Sequence, residues 1–361
     1  MLGLERLLKF PKKNSRLLIE TKPDEMYDGL FGQVLLWVFQ ILPVLYEHQI
    51  FPDWRIQAAY YGRASDGLVI PGVLDLAYDV EPGVRKEVNL IRLRGRRHIL
   101  GNDWQGLSAI WHAYFRVPDR ITGRAIDFGS LSDTLGIHYR GNDKQTAHWD
   151  TNPVSHDDYL SIIRQFCQDR PEFRRIFLAT DDANFYGFLK SNITLEVINL
   201  GDVGFHKDRT SPELADAKTD RAMLDCVILS RCGAVLLTSS ALPSFAKILN
   251  PDLEIYRVAA SKLYEKNVPY FPVAYVPIYN SSSPEIATLV DRLMVGDWTK
   301  SSESRRFTEG FVSRPFLSPV LRLIYSIYFY VRRLPGFNWL AQLPKLMEQA
   351  YRRRQARLQQ R

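Results

Sequence analysis

Between residues 131 and 280, short apolar runs alternate along the chain with segments of helical spacing. The helical spacing is clearest over 156–167, where Tyr159, Ile162 and Phe166 fall on one face, as expected for an amphipathic helix. Strand and helix alternate over about 130 residues, which predicts a parallel sheet built from βαβ units. The predicted buried strands are 135–139, 175–179, 195–200, 234–237 and 253–258, and the predicted helices are 156–167, 183–189, 218–232 and 242–249.

The pattern is less regular on both sides of this region. Residues 33–46 are apolar and aromatic, which predicts a buried helix broken near Pro43, and residues 66–97 predict loops with short strands. Residues 279–311 are polar and rich in serine, and residues 318–330 are again apolar and aromatic. At 361 residues the chain exceeds the ~100–200 residues usual for one domain, so we divide it after residues 130 and 280.

Composition and cysteine content favour a globular protein of a reducing compartment. Hydrophobic residues make up 46% and charged residues 24% of the chain, as in soluble domains. The sequence contains no run of about 18 apolar residues, the length that would predict a membrane span. The three cysteines form no pairing framework, which favours a cytoplasmic location. Cys226 and Cys232 fall in a predicted helix, and we expect them to be buried thiols.

The basic charge is concentrated at the end of the chain. Residues 332–361 contain eight basic residues and one acidic residue, so their net charge of +7 equals that of the whole protein. Behind the aromatic segment 316–330, such a helical basic tail suits an anionic membrane surface, which predicts a peripheral position on its cytoplasmic face. A solvated end behind a packed helix is the alternative. A basic patch alone selects no nucleic acid, and we expect no specific nucleic-acid partner.

Polar and charged side chains follow the predicted strands at their carboxyl ends, where open α/β sheets bind ligands. His138 and Arg140 alternate at the end of the first strand and therefore point to the same side. The planar guanidinium of Arg140 suits a diphosphate, and a fixed cation there stabilises a departing nucleoside diphosphate. The alternative for Arg140 is an ion pair with Asp143 or Asp181, and for His138 it is a satisfied core histidine.

The loops after the second and fourth predicted strands carry further candidates. Asp181 and Asp182 suit a metal ion or sugar hydroxyls, although an N-cap of the next helix explains one of them. Ser239 and Ser240 precede a helix with Pro243 in its first turn. Their hydroxyls and amides point at an anion in one interpretation, and the alternative is simple capping.

Three further charged residues have two interpretations each. Asp225 lies among apolar residues of a predicted helix, and a buried carboxylate needs a strong donor. The two N–H groups on one edge of guanine are such a donor, and an exposed stripe shared with Arg221 is the alternative. Asp143 and Lys144 either contact substrate or pair with each other.

Three blocks of sequence follow one another in a characteristic order. HYRGNDK at 138–144 fits the pattern H-x-R-x-x-D-K, and IFLATDD at 176–182 is close to V-Y-L-A-T-D-D. LDCVILS at 224–230 fits L-D-x-x-x-L-S and precedes an apolar strand and the Ser239–Ser240 pair. In these blocks the chain resembles the GDP-fucose fucosyltransferase superfamily, which includes nodulation and core α-1,6-fucosyltransferases and protein O-fucosyltransferases.

The resemblance implies a GT-B-like α/β fold, with two Rossmann-like halves facing a cleft and a helical basic tail behind them. Residues 1–130 would form the acceptor-side domain, 131–280 the Rossmann-like GDP-sugar domain, and 281–361 a polar linker, an aromatic helix and the tail. The implied reaction is an inverting, metal-independent transfer of fucose from GDP-fucose to a hydroxyl of a glycan or lipid-linked saccharide, without a cofactor.

The resemblance also implies roles for individual residues. These are Arg140 at the diphosphate, His138 at the nucleotide, Asp225 at guanine, Ser239 or Ser240 at a phosphate, and Gly29 and Gly32 in a loop that faces the donor across the cleft.

The chain also departs from the pattern of the superfamily. Gly141 stands where core α-1,6 enzymes have a second arginine, and no glutamate follows Lys144 as their base. Because inversion needs one base for the acceptor hydroxyl, Asp150 is the favoured candidate, His148 is the second, and an ordinary polar loop is the alternative. Two other functions stay open: transfer from a different nucleotide sugar, and a catalytically inactive scaffold that binds polyanions through the tail.

Overall fold

A computed structural model provides the structure of the chain, and its described residues belong to one compact unit within residues 1–301. The described ranges are 15–20, 30–32, 34, 41–47, 49–57, 61–62, 66, 68–79, 84–89, 103–141, 150–201, 215–262, 264–265, 268–269 and 272–300. The predictions for Gly29, Asp143, Lys144 and His148, and those for the aromatic helix and basic tail, lie outside these ranges. Within them, none of the helices combines the length and the apolar character needed to cross a membrane.

The N-terminal part is built on a four-stranded sheet. Its elements are β1 (Ser15–Glu20), α1 (Leu42–Glu47), β2 (Asp53–Gln57), β3 (Leu68–Ile70), β4 (Asp75–Leu76), β5 (Val84–Asn89), α2 (Trp104–Tyr114), β6 (Phe115–Arg116) and α3 (Asp119–Ile126). Strand β1 pairs in parallel with β2 and with β5, and β3 joins β2 in the antiparallel sense. The strand order is β3-β2-β1-β5. Helix α1 begins at Leu42, one residue before Pro43, and most of the predicted helix before it lies outside the described residues.

The C-terminal part of the unit contains a five-stranded sheet in which every pairing is parallel. Its elements are β7 (Thr134–Tyr139), α4 (His156–Asp169), β8 (Arg175–Thr180), α5 (Ala183–Asn192), β9 (Glu196–Ile198), α6 (Ala215–Leu229), β10 (Ala234–Leu237), α7 (Ala241–Leu249) and β11 (Glu254–Arg257). The alternation predicted from sequence is confirmed in each of these elements, and so is the α/β class.

The strand order of this sheet is β11-β10-β7-β8-β9. The chain moves outwards from β7 to β8 and β9, and then crosses back to β10 and β11 on the other side of β7. This is the doubly wound arrangement, which reverses direction between its first and fourth strands. The reversal lies between β7 and β10, so the carboxyl ends of these two strands border the crevice in which such sheets bind ligands.

The strands are recognisable in the sequence because both faces of the sheet are covered. All six residues of β7 and all four of β10 are buried, which explains their continuous apolar runs. Helices α4 and α5 cover one face, where Tyr139 stacks on Phe185 at 4.1 Å between ring centroids. Helices α6 and α7 cover the other face and share one apolar core with the N-terminal part.

Phe245 of α7 lies where the two parts of this unit meet. Its ring is 5.4 Å from that of Phe31 and 4.8 Å from that of Trp111, measured between centroids. Trp111 belongs to α2 and is fully buried. The helix that starts beside the β7–β10 reversal is therefore packed against the N-terminal part through its apolar face.

The chain continues past residue 280 as ordered structure. The remaining elements are β12 (Tyr264–Glu265), β13 (Val268–Pro269), a 3₁₀ turn at Pro272–Tyr275, α8 (Pro284–Leu293) and a 3₁₀ turn at Trp298–Lys300. Part of the segment described above as a polar linker is thus helix α8, with Ser283 as its N-cap and Ile286, Val290 and Leu293 buried. The domain boundaries after residues 130 and 280 stay a prediction.

An ion pair between Arg257 and Asp297 joins the last strand of the sheet to the turn behind α8. Both side chains have 0% relative exposure. Arg257 donates through Nη1 to Asp297 Oδ2, through Nη2 to Oδ1 at 2.9 Å, and through Nε to the Val276 carbonyl at 2.9 Å. The carboxylate also accepts hydrogen bonds from the backbone amides of Ser261 at 2.7 Å and Thr299 at 2.9 Å. Burial acts to raise the pKa of Asp297, but Arg257, Thr299 and Ser261 outweigh it and hold that pKa below its ordinary value.

We predict that Asp297→Ala lowers the free energy of unfolding by about 3–5 kcal/mol, because it leaves the buried guanidinium without its counter-charge. Equilibrium denaturant unfolding measures the change. Arg292→Ala is the control: it removes an ion pair with Asp158 whose arginine side chain is 65% exposed, and such pairs contribute at most about 1 kcal/mol. An equally small effect of Asp297→Ala would contradict the prediction.

The contribution of Asp297 also depends on pH. Its folded-state pKa is lowered, so the stabilisation is fully present above the unfolded-state pKa of about 3.9. It is lost as the pH falls through the lower folded-state pKa. The difference between wild type and Asp297→Ala should therefore shrink on acidification below about pH 4.

Candidate functional site

The candidate site lies where β7 and β10 end beside each other. The two strands are paired up to His138 and Leu237, and the chain segments beyond them stay joined by hydrogen bonds. The amide of Thr238 donates to the carbonyl of His138 at 3.1 Å, and the amide of Arg140 donates to Thr238 Oγ1 at 3.0 Å. The loop that carries Arg140 is thus fixed to the loop that carries Ser239.

Arg140 is oriented by Asp181, which follows the neighbouring strand β8. Its Nε lies 3.1 Å from Asp181 Oδ2, and the amide of Gly141 donates to Asp181 Oδ1 at 2.9 Å. The ion pair considered as an alternative from the sequence is therefore present. The Arg140 side chain is nevertheless 35% exposed, against 11% for Asp181. Contact through Nε, one of the five N–H donors of a guanidinium, fixes the orientation of its plane.

Asp182 has a structural role at the start of α5. Its Oδ1 accepts the amides of Asn184 at 2.9 Å and Phe185 at 3.3 Å, and its Oδ2 lies 3.2 Å from His156 Nε2. The N-cap interpretation of this residue is what the structure shows. Within the described ranges, no group of three or more His, Cys, Asp and Glu residues is arranged to hold a metal ion.

Gly141 is required by the closeness of Asp182. A Cβ atom at residue 141 would lie 2.6 Å from Asp182 Oδ2 and 2.7 Å from Asp182 Cβ. Any larger residue at this position would displace the carboxylate that caps α5. The glycine at position 141 therefore has a steric cause in this chain.

Ser240 begins helix α7 without capping it. It is the N-cap residue with extended backbone angles, φ −157° and ψ 151°, and its side chain makes no capping hydrogen bond. Simple capping, the alternative considered for this serine, is thus not observed. Ser239 is buried, and Pro243 in the first turn has no amide hydrogen. The amides at this end of α7 carry the partial positive charge of a helix N-terminus.

Asp225 is buried in α6 at 2% exposure, so the exposed position considered for it is wrong. Its donor is Arg221 one turn earlier, whose Nε lies 3.4 Å from both carboxylate oxygens. Arg221 Nη1 also donates to the Leu200 carbonyl at 2.9 Å, just beyond the end of β9. Strand β9 is two strands from β7, a distance of roughly 10 Å at the usual spacing.

Three other predicted site residues are buried. His138 and Asp150 are each 5% exposed, and the carbonyl of Asp150 accepts the amide of Lys262 at 2.8 Å. Gly32 is buried at a helical position. The ligand-binding roles predicted for these residues stay predictions.

Sequence reasoning did not identify Thr238, Arg221 or Lys262 as members of this group. The Arg221–Asp225 pair had a detectable signal, since opposite charges four residues apart meet on one helix face. Thr238 stands directly before Ser239 at a strand end, which is a weaker signal. Lys262 is 112 positions beyond Asp150 in the sequence, and only the folded sheet brings the two together.

As predicted, Cys226 and Cys232 are buried, and both are free thiols. Burial raises the pKa of Cys226 well above its ordinary value, and the charge of Asp225 raises it further. Burial likewise raises the pKa of Cys232 to about 12. Neither thiol is therefore poised to act as a nucleophile.

Fold and site together define a doubly wound α/β protein with an arginine and a helix N-terminus at its reversal point, an arrangement typical of anion-binding sites. No protein-family model and no curated protein matches the chain.

Solved structures of fucosyltransferases show a distant likeness in fold. NodZ from Bradyrhizobium is 14% identical at a TM-score of 0.41, covering 66% of this chain and 94% of NodZ. Arabidopsis thaliana FUT1, as a mutant in complex with GDP, is 11% identical at 0.39, covering 72% and 75%. POFUT1 in its apo form is 10% identical at 0.42, covering 69% and 99%. The function proposed for this chain rests on its own residues.

We predict that Gly141→Ala destabilises the protein by about 1–3 kcal/mol, the usual range for overpacking, because the new methyl group meets Asp182. Gly187→Ala in α5 is the matched control, since nothing lies within 4 Å of a Cβ built there. That control should stabilise the helix by about 0.5–1 kcal/mol. Denaturant unfolding of both variants measures the effect, and equal stabilities would contradict the close approach of Asp182.

Proposed function

We propose that this chain is a glycosyltransferase that moves fucose from GDP-fucose to a hydroxyl of a glycan or lipid-linked saccharide. The observation that carries the proposal is the meeting of Arg140 with the start of α7 at the β7–β10 reversal, fixed by the Arg140–Thr238 hydrogen bond. Three sequence blocks resemble the GDP-fucose fucosyltransferase superfamily. Two of them contribute residues to the carboxyl ends of the strands, and the third lies mainly on α6, which covers one face of the sheet.

The diphosphate of the donor would bind between Arg140 and the N-terminus of α7. Arg140 is a cation held in one orientation by Asp181, and α7 presents amides that the Ser240 side chain does not cap. When the bond between sugar and phosphate breaks, negative charge grows on the departing GDP. Preorganised positive groups at that position stabilise the transition state more than the bound substrate. In this proposal, Arg140 and the amides of α7 take the role that a divalent cation has in other transferases.

Guanine would bind towards β9. Asp225 lies 3.4 Å from Arg221 Nε, which is longer than a strong charge-assisted hydrogen bond. A carboxylate held in this way accepts the two N–H groups on one edge of guanine, which uracil and adenine do not offer in that arrangement. The offset of roughly 10 Å between β7 and β9 suits a nucleotide that extends from the diphosphate to the base.

Inversion follows from a single displacement in which Asp150 is the base. The acceptor oxygen attacks the anomeric carbon as its proton passes to the carboxylate, and the bond to the diphosphate breaks on the opposite side. His148 is the second candidate for this base. Residues 1–130 would carry the acceptor, and a cytoplasmic protein with a membrane-facing tail would meet a lipid-linked saccharide, as the sequence predicts.

We predict that GDP and GDP-fucose raise the melting temperature of the protein more than UDP, ADP or CMP at equal concentration. A ligand that binds only the folded state stabilises it by RT ln(1 + [L]/Kd), about 2.7 kcal/mol at a hundredfold excess over Kd. A thermal-shift panel measures the order of the nucleotides. Asp225→Asn, which removes the charge with little change of shape, should abolish the preference for GDP. A larger shift with UDP would favour a different nucleotide sugar.

We predict that Arg140→Ala weakens GDP binding at least about tenfold, because it removes charge-assisted hydrogen bonds of about 1.5–3 kcal/mol. Titration calorimetry with GDP measures the change in Kd. Arg292→Ala removes another partly exposed arginine that pairs with an aspartate, but on α8, and should leave the affinity unchanged. Wild-type affinity in Arg140→Ala would refute the assignment of the diphosphate site.

A further inference from the structure

We propose that Lys262 is a positioning residue for the transfer reaction, and that it acts with the buried Arg257–Asp297 pair to hold Asp150 in place as the base. The inference rests on the proposed function and extends it to residues that neither the sequence blocks nor the resemblance include. It follows from a continuous chain of contacts between the sheet core and Asp150.

The first link is the anchoring of the loop behind β11. Asp297, already held by Arg257, accepts the amide of Ser261 at 2.7 Å through Oδ2. The carbonyl of Ser261 in turn accepts the amide of Trp298 at 3.1 Å. Ser261 is itself buried. The residue directly before Lys262 is therefore fixed on both sides of its backbone to a turn that the ion pair holds.

The second link joins Lys262 to the segment that carries the candidate base. The amide of Lys262 donates to the carbonyl of Asp150 at 2.8 Å, and its Nζ donates to Asn152 Oδ1. Asn152 also donates through Nδ2 to the carbonyls of Leu293 at 2.8 Å and Val295 at 2.9 Å. Residues 150 to 152 are thus held between the loop behind β11 and the end of α8.

Charge adds to this geometric support. Lys262 is half-buried, and burial lowers its pKa below the ordinary value while the charge of Asp150 opposes that change. A cation beside a buried carboxylate favours the ionised form of the carboxylate. Only that form accepts the proton of an acceptor hydroxyl. Lys262 therefore supports Asp150, which is 5% exposed, through the geometry of residues 150 to 152 and through its positive charge.

The proposed step balances in atoms and charge. The acceptor oxygen forms a bond to the anomeric carbon, and its proton moves to a carboxylate oxygen of Asp150. The bond from the anomeric carbon to the β-phosphate oxygen breaks, and its electron pair leaves with GDP. Asp150 then releases the proton to solvent. Lys262 touches neither sugar nor phosphate in this scheme, so removing its charge should change turnover and not donor affinity.

The test compares Lys262→Met and Lys262→Arg with wild type in the full chain. We expect Lys262→Met to lower kcat for release of GDP from GDP-fucose, with water as acceptor, at least about tenfold, a part of the ~10²–10⁴ that a general base contributes. The Kd for GDP should stay within twofold of wild type, and Lys262→Arg should restore most of kcat. A lowered kcat with an unchanged Kd indicates a positioning role, because a general loss of structure would change both.

Lys247→Met is the matched control. Lys247 is also a half-buried lysine whose pKa burial lowers, and its Nζ donates to the Leu253 carbonyl at 2.6 Å, at the opposite edge of the sheet. It should lose stability without losing kcat. An unchanged kcat in Lys262→Met, or equal losses in the two methionine variants, would overturn the inference.

Asp150→Asn separates this inference from the proposed function. If that variant keeps wild-type kcat, Asp150 is not the base, and the positioning role of Lys262 is refuted. A wild-type protein that binds GDP and consumes GDP-fucose would still support the proposed transferase. If the wild type neither binds GDP nor releases it from GDP-fucose, the proposed function fails and the inference fails with it.

Discussion

The parallel pairing of β7 with β10 is the interaction on which the candidate site depends. It places the first and fourth strands of the sheet side by side, so that two segments about a hundred residues apart in sequence end at one point. The hydrogen bonds of Thr238 to His138 and Arg140 continue that pairing beyond the strands. If the fourth strand had joined the other edge of the sheet, Arg140 and the start of α7 would be separated by the width of two strands.

The contact between Arg140 and Asp181 holds the guanidinium in one orientation at the reversal point of the sheet. Asp181 contacts both the guanidinium and the neighbouring backbone, so the pair fixes direction as well as charge. The preorganisation lowers the entropic cost of binding an anion, because the long side chain has few orientations left to lose. The carboxylate also weakens the local positive field, and the amides of α7 compensate for this from the other side of the reversal.

The sequence predicted the C-terminal sheet well and the N-terminal sheet poorly, for a physical reason. Strands β7, β8 and β10 are covered on both faces, so their residues form continuous apolar runs that stand out from polar loops. Strand β1 has charged residues at both ends and was not recognised as a strand. Helix α8 was missed because its apolar positions are spaced one turn apart within a serine-rich segment.

Within the site, the residue types were predictable but their partners were not. Arg140, Asp181 and Ser240 were found because each follows a strand, which is local information. The choice between a diphosphate and an ion pair for Arg140 depended on which strand lies next to β7, and that is a property of the whole sheet. Asp225 was expected to need a donor, and Arg221 was considered only as its neighbour on an exposed stripe, so their buried pairing was not predicted.

Helix α7 is one of the elements through which the two parts of the compact unit share an apolar core. It begins three residues after Thr238, which accepts the amide of Arg140. Four residues further along, Phe245 packs against Phe31 and Trp111 of the N-terminal part. A tilt of this helix would disturb that aromatic packing, and a shift of the N-terminal part would move the amides at the helix start. Any free energy of coupling between these two regions must act equally in both directions. In the proposed function, an acceptor bound to the N-terminal part would therefore be linked thermodynamically, through the shared core that includes Phe245, to donor binding at the sheet edge.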